Sequence, residues 1–163
     1  MDQRKNSPKD VKNEGCPFCK IAAREMEASV VFEDDSSVAF LDSRPLFPGH
    51  CLLIPKGHYE TLADLPEDLA AFLFLNAKRL ASVVQDAMNA EGTFVAMNNI
   101  VSQSVPHFHI HIVPRKRKDG LRGFFWPRHK YESETEQAGV RDALIARVRR
   151  KRGSEKSFGG MKK

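Results

Sequence analysis

The stretch SVPHFHIHIVPR, residues 104–115, decides how this chain folds. From His107 to Val113 its histidines alternate with apolar residues, and successive side chains of a β-strand point to opposite faces of the sheet. The alternation therefore predicts a strand over Val105–Val113. The residues expected to face the core are Phe108, Ile110 and Ile112. The residues expected on the opposite face are His107, His109 and His111, with neighbours about 6.5–7 Å apart.

Three imidazoles on one strand face indicate a function rather than a solvated polar surface, because they are three of only six histidines in the chain. One interpretation is a zinc site to which all three contribute. The other is catalysis, in which a neutral imidazole attacks phosphorus. Histidine suits this chemistry because it is partly neutral near pH 7, is a competent nucleophile and forms an adduct that hydrolyses readily. The strand alone leaves both interpretations open.

Length and charge narrow the class of protein. The chain has 163 residues, which is one domain's length, and its net charge of +5 suits anionic ligands such as nucleotides, polyphosphates or nucleic acid. It has no apolar run of about 18 residues that could span a membrane, and its polar N-terminus lacks a secretory signal. The three cysteines are too few for a disulfide framework. We therefore expect a cytoplasmic protein that does not contact a membrane.

Hydrophobic periodicity and turn residues predict an α+β fold. The predicted strands are Val30–Glu33, Val38–Leu41, Cys51–Ile54, Phe94–Met97 and the histidine strand. The predicted helices are Lys20–Glu27, a long helix with Pro66 in its first turn that ends near Asn89 to Gly92, and an amphipathic helix over 133–152. We expect an antiparallel sheet with one main helix packed on one side and a C-terminal helix.

The predicted elements and the polar ends divide the chain into four parts. We expect a disordered arm over residues 1–14, the folded domain over 15–132, the C-terminal helix over 133–152 and a disordered basic tail over 153–163. A nucleic-acid contact through the basic tail is the alternative to a frayed end, and no specific motif supports it.

The pair Cys16-Pro-Phe-Cys19 has two interpretations. A redox motif of this form should follow a buried strand directly, but residues 12–15 are Lys, Asn, Glu and Gly. The other interpretation is half of a tetrahedral zinc site, which needs two more ligands. The candidates are His58 and one histidine of the triad strand. Cys51 lies inside an apolar strand and is expected to be a buried small residue.

The pattern HFHIHIV, residues 107–113, resembles the signature of the histidine triad (HIT) superfamily of nucleotide hydrolases and transferases. Other motifs of the resemblance follow in the expected order, so that it covers roughly residues 16–126. They are CPFCKI, AFLDSRPLFPGHCLLIPKGH, the long helix, MNNIVSQSVPHFHIHIVPR and FFWP. The resemblance implies an antiparallel sheet with helices and a homodimer.

The resemblance also implies a role for individual residues. His109 matches the nucleophile that takes the nucleotidyl group, His111 matches a residue that contacts the phosphate, and Ser104 matches a hydroxyl that hydrogen-bonds the phosphate or the leaving group. Asp42 matches the carboxylate that binds the ribose hydroxyls. The other nucleotide-binding positions that it implies are Phe18 and Leu41 in the base pocket and Asn98 and Gln103 near the phosphate.

In zinc-containing members of the family, the metal ligands match four residues of this chain, which are Cys16, Cys19, His58 and His107. Such a zinc would be structural, because four protein ligands leave no open position. A catalytic divalent metal is neither implied nor excluded. Three positions have a simpler interpretation beside the functional one. His50 would be a loop-to-strand residue, Asp42 would punctuate a turn, and Arg115–Lys118 would be a solvated or dimer-facing segment.

The function implied is cleavage at the α-phosphate of adenylated substrates through a nucleotidyl-histidine intermediate on His109. Dinucleoside polyphosphates such as diadenosine tetraphosphate, or nucleoside phosphoramidates, are the expected substrates. The alternatives are a nucleotide-binding regulatory protein with incidental hydrolysis and a zinc-stabilised nucleic-acid-binding module. One departure bears on the phosphate pocket: many relatives have a glycine-rich loop before QSV, whereas this chain has NNIVS at residues 98–102.

Overall fold

A computed structural model describes residues 13–121, 131–142 and 144–145. The chain divides into two compact units, Met1–Gly120 and Leu121–Lys163. Several sequence predictions fall outside the described residues: most of the N-terminal arm, the FFWP segment, the end of the C-terminal helix and the basic tail.

Within its described part, the first unit is built around an antiparallel five-stranded sheet. The strands are β1 (Val30–Glu33), β2 (Ser37–Leu41), β3 (Cys51–Pro55), β4 (Gly92–Ala96) and β5 (Ile110–Arg115). Their spatial order is β1-β2-β3-β5-β4. The expected antiparallel sheet is confirmed, and β5 lies between β3 and β4 with Cys51 and Val95 both opposite Ile112.

The histidine strand begins later than predicted, at Ile110 instead of Val105. Pro106 has no N–H to donate to a neighbouring strand. The next two N–H groups bond elsewhere: His107 donates to the Val105 carbonyl at 2.8 Å and Phe108 donates to the Tyr59 carbonyl at 2.6 Å. The alternation of side chains nevertheless persists, because Phe108, like Ile110 and Ile112, is fully buried in the core.

The described helices of this unit are α1 (Pro17–Ala22) and α2 (Glu67–Ala87), with a short 3₁₀ turn at Leu62–Asp64. The predicted long helix is confirmed, but α2 begins directly after Pro66 instead of including it in the first turn, which carries Glu67 and Asp68. Helix α1 overlaps its predicted range of Lys20–Glu27 only in part, because it begins at Pro17 and ends at Ala22. Pro17 starts it in the first helical position, where the missing N–H costs nothing, and Arg24 takes a left-handed conformation just after its end.

The two faces of the sheet carry separate apolar clusters. Helix α2 covers one face through Leu73, Ala77, Leu80 and Val84. The opposite face carries α1, with Cys16, Phe18 and Cys19 packed on Val38, Phe40, Leu52 and Ile54. In the same helix, Phe72 and Val83 are 38% and 59% exposed, because they lie outside the buried stripe.

The described part of the second unit contains the C-terminal helix, over residues 134–142 and 144–145. Ser133 caps it, since its hydroxyl accepts a hydrogen bond from the Glu136 N–H at 3.1 Å. Among the described helices, none is both long and apolar enough to cross a membrane.

Candidate active site and metal centre

A cavity of about 850 Å³ opens on the sheet face that carries α1. Six of the eight residues predicted to bind nucleotide line it: Phe18, Leu41, Asp42, Ser104, His109 and His111. They come from α1, the end of β2, the segment before β5 and β5 itself. Ile21, Phe40 and Leu52 add apolar wall. The cavity therefore combines an apolar side suited to a base with hydroxyl, carboxylate and imidazole groups.

His109 is held with its lone pair on Nε2. Its Nδ1–H donates to the carbonyl of His107 at 2.7 Å. Because a carbonyl can only accept, the proton of a neutral His109 must lie on Nδ1. The ring is 4% exposed, so that the backbone contact and the surrounding walls define its orientation. Nε2 is thus the nitrogen available for nucleophilic attack.

His50 sets the opposite tautomer on His111. The Leu46 N–H donates to His50 Nδ1 at 3.2 Å, which leaves the His50 proton on Nε2. That Nε2 lies 3.0 Å from His111 Nδ1 and donates to it, so that the proton of His111 lies on Nε2. The sequence prediction that His50 is only a loop-to-strand residue is wrong, because its ring is 2% exposed and contacts the triad. The sequence did contain a signal for this role: histidine is scarce in this chain, and His50 lies inside the family motif AFLDSRPLFPGHCLLIPKGH.

The turn before His50 requires a glycine. Gly49 has φ +92°, and a Cβ at this position would lie 2.5 Å from the Met88 side chain. The His50 N–H closes the turn by donating to the Phe47 carbonyl at 3.0 Å. The PGH sequence therefore directs the His50 ring towards His111.

Burial keeps His50 and His111 neutral. Burial first, and then the charges of His109 and His50, lower the pKa of His111 to about 4, while Asp42 opposes the shift. Burial also lowers the pKa of His50, against the opposing effect of Asp42. Asp42 lies 3.6 Å from His50 Nδ1. The centroids of the His109 and His111 rings are 4.9 Å apart. The cavity therefore presents the unprotonated Nε2 of His109 close to the Nε2–H of His111.

Cys16, Cys19, His58 and His107 form a group that could hold a metal ion, with all four ligand atoms within 4.8 Å of one another. Cys16 Sγ lies 3.4 Å from His107 Nδ1, and Cys19 Sγ lies 3.3 Å from His58 Nδ1 and 3.6 Å from His107 Nδ1. Ligands of a tetrahedral zinc are about 3.3–3.8 Å apart. The other nitrogen of His107 bonds the Pro55 carbonyl at 3.0 Å, as metal-bound histidines usually do.

Among the described residues, the three triad histidines do not form one metal site. His107 lies with the cysteines, whereas His111 groups with His50 and Asp42. The ring nitrogens that join His50 and His111 already share a hydrogen bond. This second group therefore fits a hydrogen-bonded relay better than a metal centre.

Asn98 and Gln103, predicted to bind phosphate, do not line the cavity. Gln103 donates to the Glu60 carbonyl at 2.6 Å and accepts from the Ile100 N–H at 2.7 Å. Asn98 donates to the Ser102 carbonyl at 3.1 Å. Both side chains thus shape the loop that leads to Ser104. In this loop Ile100 and Ser102 have φ of 69° and 60°, a conformation that glycine adopts more easily.

Comparison with known proteins gives several matches. The HIT domain family model matches residues 23–118. Protein hit of Bacillus subtilis is 35% identical over 136 residues, covering 82% of this chain and 94% of that protein. Adenylylsulfatase HINT3 of Arabidopsis thaliana is 36% identical over 108 residues, covering 65% and 55%. Adenosine 5'-monophosphoramidase HNT1 of Saccharomyces cerevisiae is 39% identical over 109 residues, covering 65% and 66%.

Solved structures agree with these matches. A member of the HIT family from Bacillus subtilis has a TM-score of 0.75 at 33% identity, covering 82% of this chain and 97% of that one. A zinc-bound histidine triad family protein from Mycobacterium smegmatis has a TM-score of 0.64 at 32% identity, covering 81% and 94%. The HIT domain model thus matches residues 23–118, and the relatives resemble this chain in both sequence and fold. This chain therefore belongs to the HIT family.

Proposed function

We propose that this chain is a nucleotidyl hydrolase or transferase that cleaves adenylated substrates at the α-phosphate through a nucleotidyl-histidine on His109. The observation that carries the proposal is the pair of opposite tautomers in one cavity: His109 with a bare Nε2 and His111 with an Nε2–H. An attacking nitrogen and a donor to the phosphoryl oxygens are the two groups that this reaction requires.

The cavity suggests how a nucleotide binds. Phe18 and Leu41 lie on the apolar side, where they can contact the base, and Asp42 can accept hydrogen bonds from the ribose hydroxyls. This arrangement would bring the α-phosphate to Ser104, His109 and His111. Adenine is the expected base, since the related enzymes named above act on adenylyl sulfate and on an adenosine phosphoramidate.

The reaction then proceeds in two displacements. His109 Nε2 attacks the α-phosphorus, and the bond from phosphorus to the leaving oxygen or nitrogen breaks. The leaving group takes a proton from the Ser104 hydroxyl, which regains one from solvent, while the His111 Nε2–H meets the charge that develops on the phosphoryl oxygens. Water next attacks the same phosphorus and gives up a proton to solvent, the phosphorus–nitrogen bond to His109 breaks, and the nucleoside monophosphate leaves.

We also propose that Cys16, Cys19, His58 and His107 bind a structural zinc. The proposal is supported by the tetrahedral spacing of their ligand atoms and by the zinc-bound relative from Mycobacterium smegmatis. When bound, the zinc would link α1 to the segment before β5. Metal analysis of the purified chain should find about one zinc per chain, and Cys16→Ser with unchanged zinc content would refute the ligand set.

The decisive experiment measures turnover on a panel of substrates: adenosine phosphoramidates, dinucleoside tri- and tetraphosphates, and adenylyl sulfate. His109→Ala should lower the rate by at least about a thousandfold on every substrate that the wild type cleaves. Ser82→Ala, on the exposed side of α2, serves as the matched control and should keep the wild-type rate. Activity of His109→Ala within a few fold of wild type would refute the nucleophile.

The panel also tests the remaining alternatives. Tight, saturable nucleotide binding with slow turnover on all substrates would favour a regulatory nucleotide-binding protein. A comparison of products with and without inorganic phosphate separates hydrolysis from phosphorolysis. The basic segment 115–118 offers less free charge than its sequence suggests, because Arg115 pairs with Asp119 and Arg117 lies 3.7 Å from Glu91.

A further inference from the structure

Phe18 lies between the candidate metal centre and the candidate nucleotide pocket. In the sequence it stands between the two cysteines, Cys16 and Cys19. Its ring meets the ring of His107 edge to face at 5.9 Å between centroids and the ring of His109 at 5.4 Å. The same ring lines the cavity and is 9% exposed. One side chain therefore contacts a metal ligand, the nucleophile and the space for the base.

His107 provides a second connection between the two sites. Its Nδ1 faces the sulfur atoms of Cys16 and Cys19, whereas its carbonyl accepts the hydrogen bond that orients His109. A displacement of His107 would therefore move the acceptor that sets the tautomer of the nucleophile.

Helix α1 has little stability of its own. It has six residues, and Cys16 at its N-cap position makes no side-chain capping hydrogen bond. Helices this short are marginal in water without tertiary contacts. The position of Phe18 thus depends on apolar packing and on whatever joins Cys16 and Cys19 to His58 and His107.

We propose that metal binding and nucleotide binding are thermodynamically coupled through Phe18, with the His107 carbonyl as a second link. The metal holds α1 and His107 in the arrangement that the nucleotide needs, so that each ligand tightens the binding of the other. Phe18 is in this sense a positioning residue for the nucleotide site. The inference rests on the nucleotide and zinc sites of the proposed function and adds that they act on one another.

The first experiment measures the linkage in both directions. The dissociation constant of AMP is measured by calorimetry on the zinc-loaded chain and on the chelator-stripped chain. The dissociation constant of zinc is measured by chelator competition with and without saturating AMP. We expect both ratios to be about tenfold and equal to each other, because binding linkage is reciprocal. Equal AMP affinities in the two metal states would overturn the coupling, whereas absence of AMP binding in both states would refute the nucleotide site itself.

Two variants locate the coupling. Phe18→Leu should lower both ratios well below the wild-type value, because only the link through the His107 carbonyl remains. Leu41→Ala removes apolar surface from the same pocket, but Leu41 lies at the end of β2 and outside the apolar cluster that contains the cysteines. The variant should therefore weaken AMP binding in both metal states and keep the ratio. Ratios of dissociation constants in Phe18→Leu as large as those of the wild type would overturn the role of this ring.

A spectroscopic readout avoids the metal-free chain, whose α1 can lose its structure. Co²⁺ replaces zinc, and the visible bands of the bound Co²⁺ are recorded before and after saturation with AMP. We expect AMP to shift these bands in the wild type and in Leu41→Ala, and to shift them clearly less in Phe18→Leu. Visible Co²⁺ bands that do not change when AMP saturates the wild type would overturn the proposal.

Discussion

At the scale of single residues, His109 and His111 have different tautomers, because the Nδ1 atom of His109 donates a hydrogen bond and that of His111 accepts one. The His107 carbonyl accepts a hydrogen bond from His109 Nδ1–H, whereas the ring Nε2–H of His50 donates to His111 Nδ1. A backbone N–H, from Leu46, in turn defines the tautomer of His50. Two identical side chains thereby become a nucleophile and a hydrogen-bond donor.

We predict that His50→Leu lowers kcat by about ten- to a hundredfold while KM changes little, since His50 orients a catalytic group without facing the substrate. His50→Gln should recover part of the loss, because the amide N–H can still donate to His111 Nδ1. Steady-state kinetics on an adenosine phosphoramidate measure both. A wild-type kcat in His50→Leu would contradict the relay.

Protonation of His111 should depend on its half-buried position. Its pKa of about 4 lies below the ordinary value of 6.5, first because of burial and then because of His109 and His50, with Asp42 opposing. Between these two pH values the unfolded chain binds more protons at this group than the folded chain. The stability contributed by neutral His111 is therefore complete above about pH 6.5 and is lost as the pH falls towards 4.

We predict that wild type loses up to about 3 kcal/mol more stability than His111→Gln when the pH falls from 7 to 4. Urea unfolding at pH 7, 6, 5 and 4 provides the comparison, and an NMR titration of the His111 ring gives its pKa directly. A ring that protonates near pH 6.5 in the folded protein would show that burial does not control it.

At the scale of elements, the loop before Ser104 holds two non-glycine residues in left-handed conformations. Ile100 is a β-branched example, with φ 69° and a side chain that is 79% exposed, so that little packing offsets the strain. Val101 is 78% exposed but does not have a positive φ. Ile100 and Val101 are therefore a matched pair for substitution, since they have similar exposure and only Ile100 has a positive φ.

Ile100→Gly should relieve strain and outweigh the entropic cost of glycine, whereas Val101→Gly adds only that cost. We expect Ile100→Gly to be at least about 1 kcal/mol more stable than Val101→Gly. Thermal and urea unfolding of the two variants measure the difference. Equal stabilities would mean that the loop does not store strain at Ile100.

The β1–β2 turn is attached to α2 by one buried amide. Asn76, 1% exposed, donates to Asp34 at 2.7 Å and to the Ser37 hydroxyl at 3.1 Å. Burial raises the pKa of Asp34, but hydrogen bonds from Ser36, Ser37 and Asn76 together lower it below its usual value. The turn is therefore joined to the helix through a satisfied carboxylate.

We predict that Asn76→Ala destabilises the fold by about 1–3 kcal/mol, since the half-buried Asp34 carboxylate and the buried Ser37 hydroxyl lose a partner. Ser82→Ala on the exposed side of the same helix should stay within about 0.5 kcal/mol of wild type. Chemical denaturation measures both variants. A cost below that of the control would show that the amide does not hold the turn.

At the scale of the whole molecule, the homodimer implied by the family resemblance remains a prediction. Strand β4 is at one edge of the sheet, with β5 as its neighbour in the described part of the chain, and Val95 in it is 41% exposed. Strand β1 at the opposite edge has a similar exposed valine, Val31, at 52%. A free strand edge is a template for pairing with a second copy.

We predict that light scattering finds twice the chain mass of 18.4 kDa. Val95→Lys should shift the protein towards the monomer, because a charge in the pairing strand opposes association. Val31→Lys, on the other edge, should leave the dimer intact. A monomeric wild type, or a dimer broken only by Val31→Lys, would contradict pairing through β4.

The local pattern of residues was enough to predict the antiparallel sheet, the long helix α2 and the grouping of the triad. Period-two alternation reports which side chains share a sheet face, and the 3.6-residue period with Pro66, Glu67 and Asp68 reports a helix start. The family motifs added Cys16, Cys19 and His58 as partners of His107. These features depend on neighbouring residues or on short motifs, which a sequence displays directly.

Tertiary structure alone decided the start of β5, the role of His50 and the attachment of Asn76. The Phe108 N–H bonds the Tyr59 carbonyl instead of a neighbouring strand, and His50 contacts His111, which is 61 positions later in the sequence. Such contacts depend on where the folded backbone places distant groups, and burial then satisfies them because an unpaired polar group inside the protein is costly. No local period encodes that choice.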